Sequence, residues 1–154
     1  MNEVLPRLLV NPFVFSLWAL YERLIIDLAE LIRDEKQASL ALGDIKGKYL
    51  IDRIEKYFTY VLDFPLGYTE ELKSKLSLLG QLRNAIAHGN GRSSTLNKKL
   101  AGRVRQGEIA GLSRSEYGDL ILVDLDYAKE AFEVVRTHLR LLIRHYNDLG
   151  GEDL

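Results

Sequence analysis

Arg83, Asn84 and His88 are the residues of this chain best suited to chemistry on a charged substrate. They stand in the run Arg83-Asn84-Ala85-Ile86-Ala87-His88, which closes a leucine-rich segment and opens onto Gly89-Asn90-Gly91-Arg92. That position predicts an imidazole at a helix C-terminus, beside a glycine-containing loop. Imidazole exchanges protons near neutral pH, and a positioned acid or base contributes about 10²–10⁴-fold to a rate. A guanidinium offers paired donors to phosphate oxygens, and losing one well-placed donor costs about 3–4 kcal/mol of transition-state stabilisation. On an ideal helix Arg83 and His88 lie about 140° apart around the axis. Asn84 is the true i, i+4 neighbour of His88. The set suits RNA cleavage without a metal: a base takes the proton of a ribose 2′-hydroxyl, and that oxygen attacks the adjacent phosphate. DNA lacks the hydroxyl and would be spared. The plainer alternatives are a His88 that merely caps its helix and an Arg83 that makes a surface ion pair.

The residues that follow carry positive charge. Arg92, Lys98, Lys99, Arg103, Arg105 and Arg114 face only Glu108 and Glu116 between Gly89 and Glu116, in a chain whose net charge is −1. Local excess of this kind is what an RNA backbone would follow, although a solvated loop shows it too. Arg136, Arg140 and Arg144 form an i, i+4 ladder that reads as a solvated helix face. His138 and His145 share a face without a third metal ligand, and read as surface or interface histidines.

The elements that must position these groups are helical. Apolar residues recur at helical spacing from Pro12 to Lys36, with Asn11 as N-cap and Pro12 at the first helical position. Leu17, Leu20, Tyr21, Leu24, Ile25, Leu28, Leu31 and Ile32 form its broad apolar face, suited to a core or an interface. A second helix is expected after Gly43, capped by Asp44 and ending before Pro65 and Gly67. The third runs from an N-cap at Thr69 to His88, stopping at Gly89. Leu96 to Val104 suits a short helix. Leu120 to Val123 suits a short strand, pairing with Ile109 to Leu112. The last helix is expected from Asp124 or Asp126 to about Asp148, with Phe132, Val135, Leu139, Leu142 and Tyr146 as its stripe, before a short acidic tail. Four main helices without alternating strands predict an all-α bundle, with a small irregular or β insertion before the last helix, in one domain spanning residues 1–154.

Composition narrows the class. At 47% hydrophobic and 28% charged residues the chain reads as globular. It has no cysteine, which removes disulfides, thiolate metal sites and a cysteine nucleophile, and fits a cytoplasmic protein. No signal-peptide pattern is evident. Pro12, Glu22 and Arg23 interrupt the first apolar stretch, so no membrane span and no membrane partner are expected. Neither a cofactor nor a metal is expected.

The run Leu79-Gly80-Gln81-Leu82-Arg83-Asn84-Ala85-Ile86-Ala87-His88-Gly89-Asn90 resembles the Arg-x4–6-His signature of HEPN domains, with a polar residue directly after the arginine. Trp18-Ala19-Leu20-Tyr21-Glu22 resembles the aromatic-then-Glu pattern in the first helix of some members. The resemblance implies a HEPN-like helical bundle that forms a homodimer, its two Arg-His motifs facing a shared cleft. It implies a metal-independent endoribonuclease of toxin–antitoxin or phage-defence type, or an inactive relative that binds RNA, a nucleotide or a partner protein. By the same resemblance Arg83, Asn84 and His88 are the catalytic set. Glu22 is a candidate RNA-binding residue, alongside Arg92, Lys98, Lys99, Arg103 and Arg105. An exposed helix charge explains Glu22 equally well.

Overall fold

The computed structural model describes residues 4–116 and 118–150; the acidic tail lies outside them. The chain is mostly helical, with one small two-stranded sheet. In order it forms α1 (Val4–Lys36), α2 (Leu50–Lys56), α3 (Glu70–Gly89), α4 (Lys98–Arg105), β1 (Leu112–Arg114), β2 (Ile121–Val123) and α5 (Leu125–Gly150). Contacts divide it into two compact units: Met1–Ala19 with Leu78–Glu133, and Leu20–Ser77 with Val134–Leu154. Each of the three long helices contributes one stretch to each unit.

The first unit buries Val14, Leu17 and Trp18 of α1, Leu79, Leu82 and Ala85 of α3, and Leu100 and Val104 of α4. Its sheet pairs β1 and β2 antiparallel, with Leu112 opposite Val123 and Arg114 opposite Ile121. The strand was expected at Ile109 to Leu112. It starts at Leu112 because the preceding residues form a turn, with the Leu112 N–H on the Ile109 carbonyl at 3.1 Å. The second unit is built around Tyr21, Ile25, Ile54, Tyr57, Phe58, Leu76 and Leu142, all at or near zero exposure.

Helix ends follow capping chemistry where a cap is present. Thr69 Oγ1 accepts the Leu72 N–H at 3.2 Å and starts α3. Asn97 Oδ1 accepts the Leu100 N–H at 2.8 Å and starts α4. Asp124 Oδ1 accepts the Tyr127 N–H at 2.9 Å and starts α5. Each satisfies one of the orphan N–H groups of a first turn.

Several expectations need correction. α1 begins at Val4, so Pro12 lies inside the helix and Asn11 is no cap. Pro12 removes one backbone hydrogen bond, and the buried Val14, Leu17 and Trp18 just beyond it hold the helix together. The second helix starts at Leu50. Asp44 instead closes a 3-10 turn over Leu42–Asp44, its Oδ2 accepting the Ala41 N–H at 2.8 Å, and Gly47 lies in the irregular lead-in. α2 then continues as a π-turn over Tyr57–Val61. On α1 only part of the apolar face is buried: Leu20, Leu24 and Leu31 are exposed. Phe132 of α5 is exposed as well. His138, expected at a surface, is fully buried. Finally, Leu8–Lys36 of α1 is long and apolar enough to cross a membrane by length and composition alone. Its first charges after Leu8 are Glu22 and Arg23, too few to break the apolar stretch.

Candidate functional site

α3 brings the three motif residues to its last two turns. Leu76, Leu79, Leu82 and Ala85 face inward at helical spacing, which turns Asn84 and His88 outward. Both are exposed, whereas Arg83 is half-buried. The helix runs unbroken to Gly89. Asn90 and Gly91 then adopt positive φ values of 51° and 76° and turn the chain back. Glycine and asparagine tolerate that conformation better than other residues. The Gly91 N–H closes on the Ala85 carbonyl at 2.9 Å, satisfying a last-turn acceptor without using the His88 ring. His88 makes no hydrogen bond or ion pair among the described residues, so the plain capping role is filled by backbone.

Arg83 is held in a defined way. Its Nη1 donates to Asn84 Oδ1 at 3.0 Å. Its guanidinium carbon lies 5.1 Å from the centre of the Phe15 ring on α1. Its Nε is buried without a partner, and no carboxylate pairs with it among the described residues. A guanidinium without a carboxylate partner keeps donor capacity that an anion can use. Asn84 thus bonds to Arg83, while its i, i+4 relation to His88 carries no hydrogen bond.

The chain after α3 lies back along the same two turns. A methyl group on Gly89 would collide with the Thr95 side chain, and Asn97 Nδ2 donates to Gln81 Oε1. The segment is fastened to the sheet as well. The Ile121 N–H donates to the Gly91 carbonyl at 2.8 Å, and the Ser93 N–H to the Asp119 carbonyl at 2.9 Å. The Asp119 carboxylate accepts from Ser93 Oγ and from the Ser94 N–H, with Arg114 Nε 3.7 Å away. These hydrogen bonds, the Ser93 hydroxyl first, hold the Asp119 carboxyl at about 2, below its ordinary value. Ser93 and Asp119 carried no signal in the sequence, because the pairing depends on a fold-back across 26 residues.

The basic residues divide by partner. Arg103 pairs with Glu108 at 3.5 Å and Arg114 with Asp119. Arg92, Lys98, Lys99 and Arg105 are exposed and unpaired among the described residues. Lys98 and Lys99 occupy the first turn of α4, where the helix dipole disfavours cations and attracts anions. All of these belong to the same unit as Arg83, Asn84 and His88. Glu22 belongs to the other unit, where it lines a groove with Glu30, Arg33, Leu42, Arg53 and Tyr57. Phe15 is connected to Arg83 only through the tertiary contact, which no local pattern in the sequence signals. No family model, curated protein or solved structure matches this chain.

Proposed function

We propose that this chain is a HEPN-like, metal-independent endoribonuclease that acts as a homodimer in the cytoplasm. The observation that carries the reading is the oriented guanidinium of Arg83, without a counter-ion among the described residues, on the same helix end as the exposed imidazole of His88. Arg83 receives the scissile phosphate and stabilises the charge that builds on its oxygens. His88 acts as general base or acid. The 2′-oxygen forms a bond to phosphorus and the bond from phosphorus to the 5′-oxygen breaks. The 2′-hydroxyl proton leaves to the base, and the 5′-oxygen takes a proton from the acid. A 2′,3′-cyclic phosphate and a 5′-hydroxyl result. Asn84 fixes the arginine, and Arg92, Lys98, Lys99, Arg103 and Arg105 draw in the backbone on either side of the cut.

A second copy would supply the partner histidine, so that one acts as base and the other as acid. α1 supports such pairing. Leu20, Leu24 and Leu31 are exposed and fall within about 40° of one another around the helix. A stripe of that kind is what helices bury against each other. The type of enzyme suggests a toxin or phage-defence effector, held in check by an antitoxin-like protein.

One observation favours a second reading. His88 has no orienting hydrogen bond, which a non-catalytic module binding RNA, nucleotide or protein would not need. Cleavage assays in EDTA separate the two. The enzyme reading expects wild type to cut RNA but not DNA of the same sequence. His88→Ala and Arg83→Ala should each lose at least about 100-fold in rate while keeping the wild-type circular dichroism. Tight RNA binding without any cleavage, unchanged in His88→Ala, would establish the binding module instead.

A further inference from the structure

Two contacts set α1 against α3 in a common register. Trp18 lies on Gly80, whose added methyl group would sit 2.9 Å from Trp18 Cη2. One turn along, Phe15 lies under Arg83 at 5.1 Å. Moving from Trp18 to Phe15 goes back three residues on α1 while moving from Gly80 to Arg83 goes forward three on α3, so the stretches run antiparallel. Trp18 is 4% exposed and fixes the crossing, because only glycine at position 80 lets the indole approach so closely. Phe15 is partly exposed, at 37%, and its ring is not needed to fill a core.

We propose that Phe15 is a positioning residue of the site, holding the Arg83 guanidinium beside its ring so that the remaining N–H groups meet phosphate. This inference rests on the reading of Arg83 as the phosphate-holding group. The physical basis is the attraction of a cation to the negative face of an aromatic ring, which strengthens as water is excluded. Asn84 accepts from Nη1 at 3.0 Å, and the Phe15 ring centre lies 5.1 Å from the guanidinium carbon. Without the ring, a long side chain on an exposed helix end would sample several rotamers. Each turnover would then begin with a search for the productive one. The N-terminal part of α1 is thereby a working part of the site rather than only packing.

The test compares Phe15→Leu, Phe15→Tyr and Arg83→Lys in the full chain, with RNA cleavage in EDTA and the Arg83 Nε–H resonance as readouts. Phe15→Leu keeps apolar bulk but removes the ring face. It should lower kcat by about tenfold with KM nearly unchanged. It should also move the Arg83 Nε–H signal out of the shielded position set by the ring. Phe15→Tyr keeps the ring and should restore both. In an Arg83→Lys background, Phe15→Leu should add little further loss. A Phe15→Leu protein that cuts at the wild-type rate, while Arg83→Lys does not, overturns this inference alone. Cleavage unaffected by Arg83→Lys removes the arginine's role and this inference together.

Discussion

At the scale of single residues, Arg83 and His138 sit in different surroundings. Arg83 is half-buried, with Nη1 on Asn84 and its ring contact to Phe15; His138 is enclosed. His138 Nδ1 lies 2.9 Å from the Tyr21 hydroxyl, and its ring meets that of Tyr68 at 5.0 Å, tilted by 54°. Burial pushes the Tyr21 and Tyr68 hydroxyls above their ordinary values, so both stay protonated. Burial lowers the His138 imidazole to about 4, with the Leu66 carbonyl acting weakly the other way. The unfolded chain therefore binds a proton at His138 before the folded one does. Stability from this group is complete above about pH 6.5, falls as pH drops, and is lost by about pH 4. The whole effect is on the order of 3 kcal/mol. Urea unfolding should show a decline across that window, and His138→Phe should flatten it; an unchanged slope would remove His138 as its source. The sequence placed Arg83, Asn84 and His88 correctly on one helix end, because a leucine repeat followed by glycine is a local signal. It misplaced His138 because an isolated imidazole on a helix looks the same whether it faces Tyr21 or water.

Among the elements, α3 and its return loop were the most legible. A threonine cap, an acidic first turn and a closing glycine are written in neighbouring residues, and Glu70–Gly89 follows them. α1 was less so. Its apolar residues continue on both sides of Pro12, so the proline reads as a start although it lies inside. Its exposed stripe looks in sequence like core. The account predicts that Leu20→Glu with Leu24→Glu leaves a folded monomer by sedimentation, with RNA cleavage reduced at least about tenfold. A double variant that stays dimeric would place the interface elsewhere. The return loop makes a second prediction. The hydrogen bonds that the Asp119 carboxylate accepts from the Ser93 hydroxyl and the Ser94 N–H tie the segment after His88 to the sheet. Asp119→Ala should speed hydrogen exchange at the Ser93 and Ser94 amides while leaving the amides of α5 protected. Equal exchange in both proteins would show that the backbone bonds of Gly91 and Arg92 suffice.

For the whole molecule, charge distribution matters more than net charge. With a net charge of −1 the chain as a whole gains little from a polyanion. Lys98, Lys99 and Arg105, unpaired among the described residues, concentrate positive charge on α4, in the unit that holds Arg83. Binding of a non-cleavable RNA should weaken with salt. Replacing those three residues by glutamine should reduce the slope of log K against log salt by about 2, since each phosphate contact on a single strand contributes about 0.7. An unchanged slope would move the RNA path away from α4. The central claim is the chemistry at α3, and the ends of the cut strand report it most directly. The measurement is mass analysis of products from an RNA oligonucleotide cut in EDTA, beside the same strand carrying one 2′-deoxyribose at the cleavage position. The account predicts a 2′,3′-cyclic phosphate with a 5′-hydroxyl, and no cut at the deoxy position. A 5′-phosphate product, or cleavage that ignores the missing hydroxyl, would contradict it.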